Sequence, residues 1–365
     1  MNAKNRFGAE LYIESGCLFA SRTPITASTV AQLLQSGVKT RVLETTEIAE
    51  IMGHEFAKEF PFGYFNPETG YAIASLTVKY VEILAKEAGV NFVIGSQAGA
   101  FAEYLYNDDS KQTVTGIVTA DGTKHYGDWV LMAAGSWTPS LVPQLDGLCT
   151  VSGQPVIHFK LPNSLKPRFQ DLRFPIWFAD VTATGFYGFP ISQTMHELKI
   201  SNHGRLAVVS SMHKNRKPKI NAISTSTPLS IPKKAIQEYR RFFERVFPEL
   251  NQLDISRTRL CWYCESWDGN FYIDAVPGVK NLFVATGGSG HGFKFVPVLG
   301  DVIADIMEGK EEKEVRDLFG WRTSGLSTEL DAIQMRKMDV IPVVLENVEL
   351  ATFNDLAATT IKTKL

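Results

Sequence analysis

The chain has 365 residues, with 37 Lys and Arg against 39 Asp and Glu, so its formal net charge is −2. Hydrophobic residues make up 44% and charged residues 21%. This is the composition of a soluble globular protein with one large core or two domains, and it excludes disorder, collagen-like repeats and coiled coils. A nearly neutral chain lacks the basic excess of nucleic-acid binders. Its one basic run, residues 213–219 (HKNRKPK), is interpreted as a solvated loop.

Cysteine usage and the absence of targeting signals predict where the protein works. Four cysteines are too few for a disulfide framework in a chain of this length, which favours a reducing, intracellular compartment. No apolar stretch approaches the roughly 20 residues that span a bilayer, and the N-terminal sequence has no apolar signal-peptide core. We therefore expect no membrane partner. The C-terminal Thr-Lys-Leu differs by one residue from a peroxisomal Ser-Lys-Leu signal, so the peroxisome and the cytoplasm are both expected locations.

The first 96 residues alternate between strand and helix patterns. We predict, in chain order, a hairpin over 8–21 with its turn at Gly16, a helix over 26–38, a strand running into a short helix over 42–52, a turn-rich loop over 62–75, a helix over 76–89 ended by Gly89, and a buried strand over 90–96. A helix, a glycine and a buried strand in this order form half of an α/β unit.

The middle of the chain changes from a meander to an antiparallel sheet. Residues 101–135 predict three strands that end in an apolar run, WVLMAAG, expected to be buried on both faces and to form a parallel strand. From about 148 to 260, short strands and the amphipathic helix 233–247 predict a second lobe. The α/β pattern then resumes with the buried strand 281–288, a glycine turn and a helix that begins near Pro297.

The glycine turn Gly287-Gly288-Ser289-Gly290-His291-Gly292 lies between that strand and that helix. Backbone N–H groups and a helix N-terminus can face an anionic or electron-rich group there, although a plain tight turn explains the glycines equally. Lys294 follows between Phe293 and Phe295. Burial in that apolar frame would lower the pKa of the lysine, whereas the alternative is a side chain that extends to solvent.

Two segments carry a resemblance to a known family. TGGSGHGFKF (286–295) and RLCWYCESWDGNFYID (259–274) resemble flavin-linked amine oxidases of the sarcosine oxidase, fructosyl amino acid oxidase and saccharopine or pipecolate oxidase group, in the D-amino-acid-oxidase-like superfamily. The resemblance covers about residues 8 to 322, and Gly135 and Trp137 resemble a second FAD-binding signature of that fold. It implies a two-domain, α/β FAD-binding fold with an α+β second lobe.

The domain organisation follows from this resemblance. We expect residues 1–60 to form part of the substrate lobe, 61–147 part of the FAD-binding domain, 148–260 the substrate domain, 261–325 the C-terminal part of the FAD-binding domain, and 326–365 an appended tail. Members of the family open with a G-x-G-x-x-G unit for the ADP pyrophosphate, and this motif does not occur near the N-terminus here. We therefore expect an N-terminally incomplete fold that binds FAD poorly.

The resemblance also implies how FAD is held. The family attaches FAD through a cysteine thioether, and that cysteine falls on Cys261. A nearby cation such as Arg259 would lower the thiol pKa. Cys264 completes a C-x-x-C pair, which also fits a redox dithiol or a zinc site. A lone pair cannot complete a four-ligand zinc site, so structural burial of Cys264 is preferred and no metal is expected. Gly288, Gly290, His291 and Gly292 are expected to border the flavin.

The substrate side rests on four further residues. The resemblance places Lys199 at the position of the lysine that activates oxygen and His203 at that of the active-site histidine. Lys294 matches a lysine that contacts the substrate carboxylate, and Tyr187 matches an active-site tyrosine. From the residues alone, Lys199 and His203 also fit ordinary strand positions, and Tyr187 fits a core position.

The expected reaction is oxidation of the C–N bond of a secondary amine or N-substituted amino acid to an imine, with O₂ reduced to H₂O₂. The substrate would be of the saccharopine, pipecolate, sarcosine or fructosyl amino acid type, or an intermediate of fungal specialised metabolism. The alternative is a non-catalytic, truncated remnant that acts as a binding or interaction module. A monomer is expected.

Overall fold

The computed structural model describes residues 10–170, 174–191, 196–209, 231–322 and 343–358, so the basic run 213–219 lies outside the described residues. The strands are β1 Tyr12–Ile13, β2 Cys17–Ser21, β3 Arg41–Leu43, β4 Phe62–Asn66, β5 Tyr71–Ala72, β6 Phe101–Tyr106, β7 Val114–Thr119, β8 Lys124–Tyr126, β9 Val130–Met132, β10 Cys149–Lys160, β11 Ile176–Ala179, β12 Phe186–Gly188, β13 Glu197–Asn202, β14 Val208–Val209, β15 Arg257–Ser266, β16 Tyr272–Ala275, β17 Leu282–Thr286 and β18 Val343–Val344. The α-helices are α1 Ala27–Gln35, α2 Thr45–Met52, α3 His54–Glu59, α4 Ala74–Glu87, α5 Thr138–Leu141, α6 Val181–Thr184, α7 Lys233–Val246, α8 Pro248–Asn251, α9 Val296–Glu308, α10 Lys313–Phe319 and α11 Phe353–Leu356.

A ten-stranded sheet organises most of the chain. Its strand order is β18-β14-β10-β13-β12-β11-β2-β4-β3, and β15 pairs with β10. One face packs on α2, α3 and α7, where Trp177 of the sheet meets Phe56 and Phe242 in a fully buried aromatic cluster. Because side chains alternate between the two faces of a strand, the residues between these core positions lie on the opposite face. That second face carries the candidate site.

A smaller α/β unit stands beside this sheet. The strands β16, β17 and β9 form a three-stranded sheet in which β17 and β9 are parallel, and β6, β7 and β8 form an antiparallel meander. These elements confirm the predicted meander, the parallel strand that ends it and the strand before the glycine turn. Their shared core contains Val114, Met132, Tyr272 and Val284.

Three predicted elements near the N-terminus are wrong. Residues 8–21 do not form a hairpin, because β1 pairs with β5 while β2 pairs with β11 and β4. The predicted loop 62–75 contains strands β4 and β5, which the Asn66-Pro67 turn signal obscured. Residues 90–96 form no strand, and no described strand lies alongside to pair with them; their apolar side chains are exposed, by 73% at Ile94.

The apolar run that ends the meander is also less buried than predicted. Within the described residues β9 pairs only with β17, so it is an edge strand. Trp129, directly before β9, is 50% exposed and contacts Phe283 with its ring. Burial on both faces would require other elements of the chain to pack against each face of this sheet.

Residues 343–358 of the predicted tail pack into the large lobe. Strand β18 adds to the sheet beside β14, and the Ala351 amide donates to the carbonyl of Ile231 at 2.9 Å. Leu345, Ala351 and Leu356 are buried in the main core. Strand β4, placed by the sequence at the start of the FAD-binding domain, likewise pairs within the large sheet. Among the described residues, no helix is long and apolar enough to cross a membrane.

Candidate active site

The strand register places several predicted site residues on one face of the large sheet. Tyr187 lies opposite Ser201, which lies opposite Val156, which lies opposite Arg259. Because directly paired residues share a face and alternate residues along a strand do too, Lys199 and Cys261 join this face. Sequence positions more than 70 residues apart are therefore brought into one row across β12, β13, β10 and β15.

Lys199 is half-buried at the centre of this face. Its Nζ lies 4.6 Å from the ring centroid of Phe189, a cation–π contact. Desolvation, followed by the positive charge of Arg259, lowers the pKa of Lys199 to about 8, while the Cys261 thiol opposes this shift. A partly desolvated cation here can stabilise negative charge that develops nearby.

Two tyrosines form the wall next to Lys199. Tyr187 and Tyr263 lie close enough for each hydroxyl group to affect the pKa of the other. Burial raises the pKa of both tyrosines, so both remain neutral at physiological pH. The His203 ring lies 5.7 Å from that of Tyr263. Tyr187 and His203 thus both lie beside Tyr263, while Lys199 is placed over Phe189, whose ring contacts that of Tyr187.

A buried polar cluster lies behind Lys199 on the same face. His158 is the direct cross-strand partner of Lys199. Its Nδ1 is 3.4 Å from Glu197 Oε2, and Arg257 Nη2 donates to the same carboxylate at 3.1 Å. Desolvation, then the charges of Arg257 and Lys199, lowers the pKa of His158 to about 3. His158 is therefore neutral, and Glu197 balances the cations of this face.

The glycine turn adopts the backbone that its sequence requires. Gly287, Ser289 and Gly290 have φ values of +76°, +45° and +76°. A Cβ at Gly290 would lie 2.6 Å from the Tyr263 ring, so only glycine fits against this tyrosine. The Ser289 amide donates to the carbonyl of Cys264 at 2.9 Å, which fixes the turn to β15.

His291 and Gly292 connect the glycine turn to α9. The His291 amide donates to the Gly288 carbonyl at 2.8 Å, and His291 Nε2 donates to the Gly269 carbonyl at 3.0 Å. Gly292 begins a 3-10 turn, Gly292–Phe295, that leads directly into α9. Pro297 lies in the first turn of this helix, as predicted.

Gly135 and Trp137 lie beside this turn. They form a 3-10 turn, Gly135–Trp137, shortly after β9, and the Gly135 carbonyl accepts a hydrogen bond from Thr286 Oγ1 at 3.3 Å. Thr286 ends β17, the parallel neighbour of β9. Two glycine-containing turns therefore meet at the carboxyl ends of adjacent parallel strands, the edge at which α/β sheets bind nucleotides.

Lys294 occupies a different environment from the other predicted residues. Its side chain is exposed, and its Nζ lies 5.4 Å from the ring centroid of Phe295. The expectation of a buried lysine in an apolar frame is wrong, because the 3-10 turn directs the side chain to solvent. The described contacts do not join Lys294 to Lys199 or Tyr187.

Cys261 and Cys264 point to opposite faces of β15, since they are three residues apart on an unbroken strand. Cys261 is half-buried on the face of Lys199, while Cys264 is buried and its Sγ accepts from Thr286 Oγ1 at 3.2 Å. The pair cannot act together as a dithiol or as metal ligands. Among the described residues, no group of three or more His, Cys, Asp or Glu side chains is arranged to hold a metal ion.

Comparison with known proteins identifies the family. The profile of the FAD dependent oxidoreductases (DAO) matches residues 5–306, most of the chain. The chain belongs to this family. An L-saccharopine oxidase of Schizosaccharomyces pombe is 32% identical over 273 residues, 73% of this chain and 61% of the relative. An N-methyl-L-tryptophan oxidase of Salmonella dublin is 32% identical over 270 residues, 73% of this chain and 63% of the relative. The chain thus spans about three fifths of the length of these curated relatives.

Several solved structures share the fold of this chain. A thermally stable mutant of a fructosyl peptide oxidase superposes with a TM-score of 0.76 at 24% identity, over 93% of this chain and 80% of that chain. The fructosamine oxidase Amadoriase II of Aspergillus fumigatus gives a TM-score of 0.73 at 20% identity, over 93% of this chain and 78% of that chain. The predicted DAO-like FAD-binding fold is confirmed.

The described residues fit the flavin part of FAD. Two buried ring nitrogens, Trp137 Nε1 and His291 Nδ1, have no hydrogen-bond partner among the described residues, and both lie in the turns at the carboxyl ends of β9 and β17. Buried polar atoms are rarely left unpaired, so these two indicate a polar ligand at this edge. These features support the assignment of FAD as the cofactor.

Sequence reasoning missed Tyr263, His158, Glu197 and Arg257. Side chains alternate between the two faces of a strand, so residues an even number of positions from Cys261 on β15 lie on the same face. This alternation is the signal that would have found Tyr263 and Arg257. His158 and Glu197 join the site only through the register between β10 and β13, which a single sequence does not display.

Proposed function

We propose that this chain acts as an FAD-dependent amine oxidase. It would remove hydride from the carbon next to nitrogen in a secondary amine or N-substituted amino acid, yield an imine, and reduce O₂ to H₂O₂. The observation that carries the proposal is the placement of Lys199, Tyr187, Tyr263 and Cys261 on one sheet face beside the glycine turn. When bound, FAD supplies the hydride acceptor.

Cys261 is proposed as the covalent anchor of FAD. A thioether requires a sulfur atom next to the flavin ring, and Cys261 is the half-buried cysteine on the face that also carries Lys199 and Tyr187. Cys264 is excluded from this role by its burial on the other face and by its contact with Thr286. Gly135, Trp137, Gly288, Gly290, His291 and Gly292 are the proposed lining of the flavin site.

Each further residue has a proposed role in positioning substrate and oxygen. Lys199 holds a positive charge where oxygen is reduced, because its ammonium group is partly desolvated and therefore acts strongly on nearby charge. Tyr187 and Tyr263 present neutral hydroxyl groups that orient the amine, with His203 packed beside them. Lys294, which is exposed, is proposed to reach a substrate carboxylate at the rim of the site.

The proposed substrates are those whose oxidation the relatives' names describe, namely saccharopine and N-methylated amino acids. Pipecolate, sarcosine and fructosyl amino acids belong to the same chemical class. We also propose that the chain is a monomer and that it is located in the peroxisome or the cytoplasm.

Acid precipitation of the expressed full chain tests the proposal. A covalent flavoprotein is yellow and keeps its colour in the acid pellet, and a peroxide assay with secondary amines then reports turnover. Colourless protein that remains colourless after incubation with FAD would contradict the proposal for this polypeptide. It would favour a non-catalytic binding module.

A further inference from the structure

Four aromatic rings form a continuous stack across four neighbouring strands of the large sheet. Tyr64 of β4 stacks on Phe19 of β2 at 4.7 Å, Phe19 stacks on Phe178 of β11 at 4.9 Å, and Phe178 stacks on Tyr187 of β12 at 5.6 Å. The angles between ring planes are 15°, 9° and 15°. We call these four residues the aromatic row. Each is the direct register partner of the next, so all four lie on one face.

The aromatic row ends at the proposed reaction centre. The ring of Tyr187, its last member, lies 5.8 Å from the ring of Phe189, over which Lys199 Nζ is placed. The row extends away from Lys199 over three strand spacings, about 14 Å. A substrate whose amine is held near Tyr187 and Lys199 can therefore lay a long side chain along it.

The exposed part of the row is made of ring edges. Phe19 and Phe178 each have both faces covered by their neighbours, and both are half-buried, so what they expose is the rim of the ring. Aromatic rims carry partial positive charge and prefer the negative face of another aromatic ring. A planar aromatic group lying flat on the row would make edge-to-face contacts with several rings at once.

Other substrate groups fit this surface less well. A second carboxylate or a sugar would lose hydration against carbon atoms without gaining hydrogen bonds from these rings. Apart from Lys199 at the Tyr187 end, the cations that the strand register places on this face, Arg257 and Arg259, lie on β15, across β13 and β10 from the row. Moreover, Arg257 is already paired with Glu197.

We propose that the aromatic row is the side-chain subsite of this enzyme and that it takes a planar aromatic group carried by an N-substituted amino acid. This rests on the proposed function, since it assumes that the amine is held at the Tyr187 and Lys199 end. It narrows the substrate to N-alkylated aromatic amino acids.

Binding of three probes to the full chain by equilibrium dialysis tests the subsite without turnover. We expect N-methyl-L-phenylalanine to bind about ten-fold or more tighter than N-methyl-L-alanine or N-methyl-L-glutamate. Phe19→Leu and Phe178→Leu should each weaken binding of the aromatic probe by about two- to ten-fold and leave the alanine probe unchanged. If either variant fails to fold, Tyr64→Leu at the far end of the row gives the same comparison.

Phe65→Leu is the matched control, because Phe65 is the half-buried neighbour of Tyr64 on the opposite face of β4. Equal affinities for the three probes, tighter binding of the glutamate probe, or an equal loss with Phe65→Leu would overturn the subsite. Aromatic preference in a flavin-loaded protein that oxidises no amine would contradict the proposed function and leave the subsite standing. Equal kcat/KM for the alanine and phenylalanine probes would uphold the function and overturn the subsite.

Discussion

Tyr187 and Tyr263 lie close enough for each to affect the pKa of the other, although three strand-to-strand steps separate β12 from β15 in the sheet. Ser201 and Val156, which follow Tyr187 in register across the sheet, have short side chains, and this leaves space above them for the two long tyrosines to approach each other. Side chains from separate strands thus come together above one sheet face, the face that also carries Lys199 and Cys261.

The choice of sulfur is tested by two cysteine variants. Cys261→Ala should abolish acid-stable flavin, because it removes the half-buried thiol on the site face. Cys264→Ala, the matched control on the opposite face, should retain it. The measurement is absorbance of the acid-precipitated protein. The reverse pattern would show that the wrong cysteine was assigned.

Lys199→Met should slow reoxidation of the reduced flavin far more than its reduction by substrate. Loss of a desolvated cation next to developing negative charge costs on the order of 10²-fold in rate. Rapid-mixing measurements of the two half-reactions separate these steps. Similar losses in both half-reactions would count against the oxygen role.

The pH dependence of the oxidative half-reaction should report Lys199. Its pKa is lowered to about 8, first by desolvation and then by Arg259, so its charge and the reoxidation rate should fall as pH rises through about 8. Arg259→Met removes the opposing charge and should move this fall to higher pH.

Arg41→Met is the control for that shift, since it removes an equal charge from β3, at the far edge of the sheet, where Arg41 pairs with Glu47. Its pH profile should match that of the unaltered chain. A profile that stays in place with Arg259→Met would show that another group titrates.

Gly290→Ala and Gly278→Ala separate backbone strain from crowding. The two glycines have φ values of +76° and +77°, but an added Cβ meets the Tyr263 ring only at Gly290, while nothing lies within 4 Å at Gly278. Both variants should lower the free energy of unfolding by about 1–2 kcal/mol through strain, and Gly290→Ala should lower it by about 1–3 kcal/mol more through crowding. Denaturant titration measures both, and equal losses would argue against contact with Tyr263.

The local order of elements was predictable from sequence wherever a pattern was strong. The strand, glycine turn and helix around Pro297 appear as expected, because glycines with positive φ and a proline in the first turn determine that backbone. The placement of Lys199 and Cys261 beside each other was inferred only through resemblance. No local pattern encodes the register that joins β13 to β15 through β10.

The failures among the strands share one physical cause, which is tertiary pairing that overrides local signals. Strand β4 forms despite the Asn66-Pro67 turn because β2 and β3 both pair with it. Residues 90–96 have strand composition, yet they form no strand without a neighbour in the described structure. Lys294 follows an apolar sequence frame but is directed outward by the 3-10 turn.

Strand β9 leaves one side of its backbone unpaired within the described residues, and the outer surface of α4 exposes Val78 and Val81 by 58% and 45%. Open strand edges and exposed aliphatic side chains attract one another between molecules. Concentrated solutions of this polypeptide should therefore scatter light and elute early in gel filtration. Mild detergent or charged substitutions at Val78 and Val81 would be the practical remedy during purification.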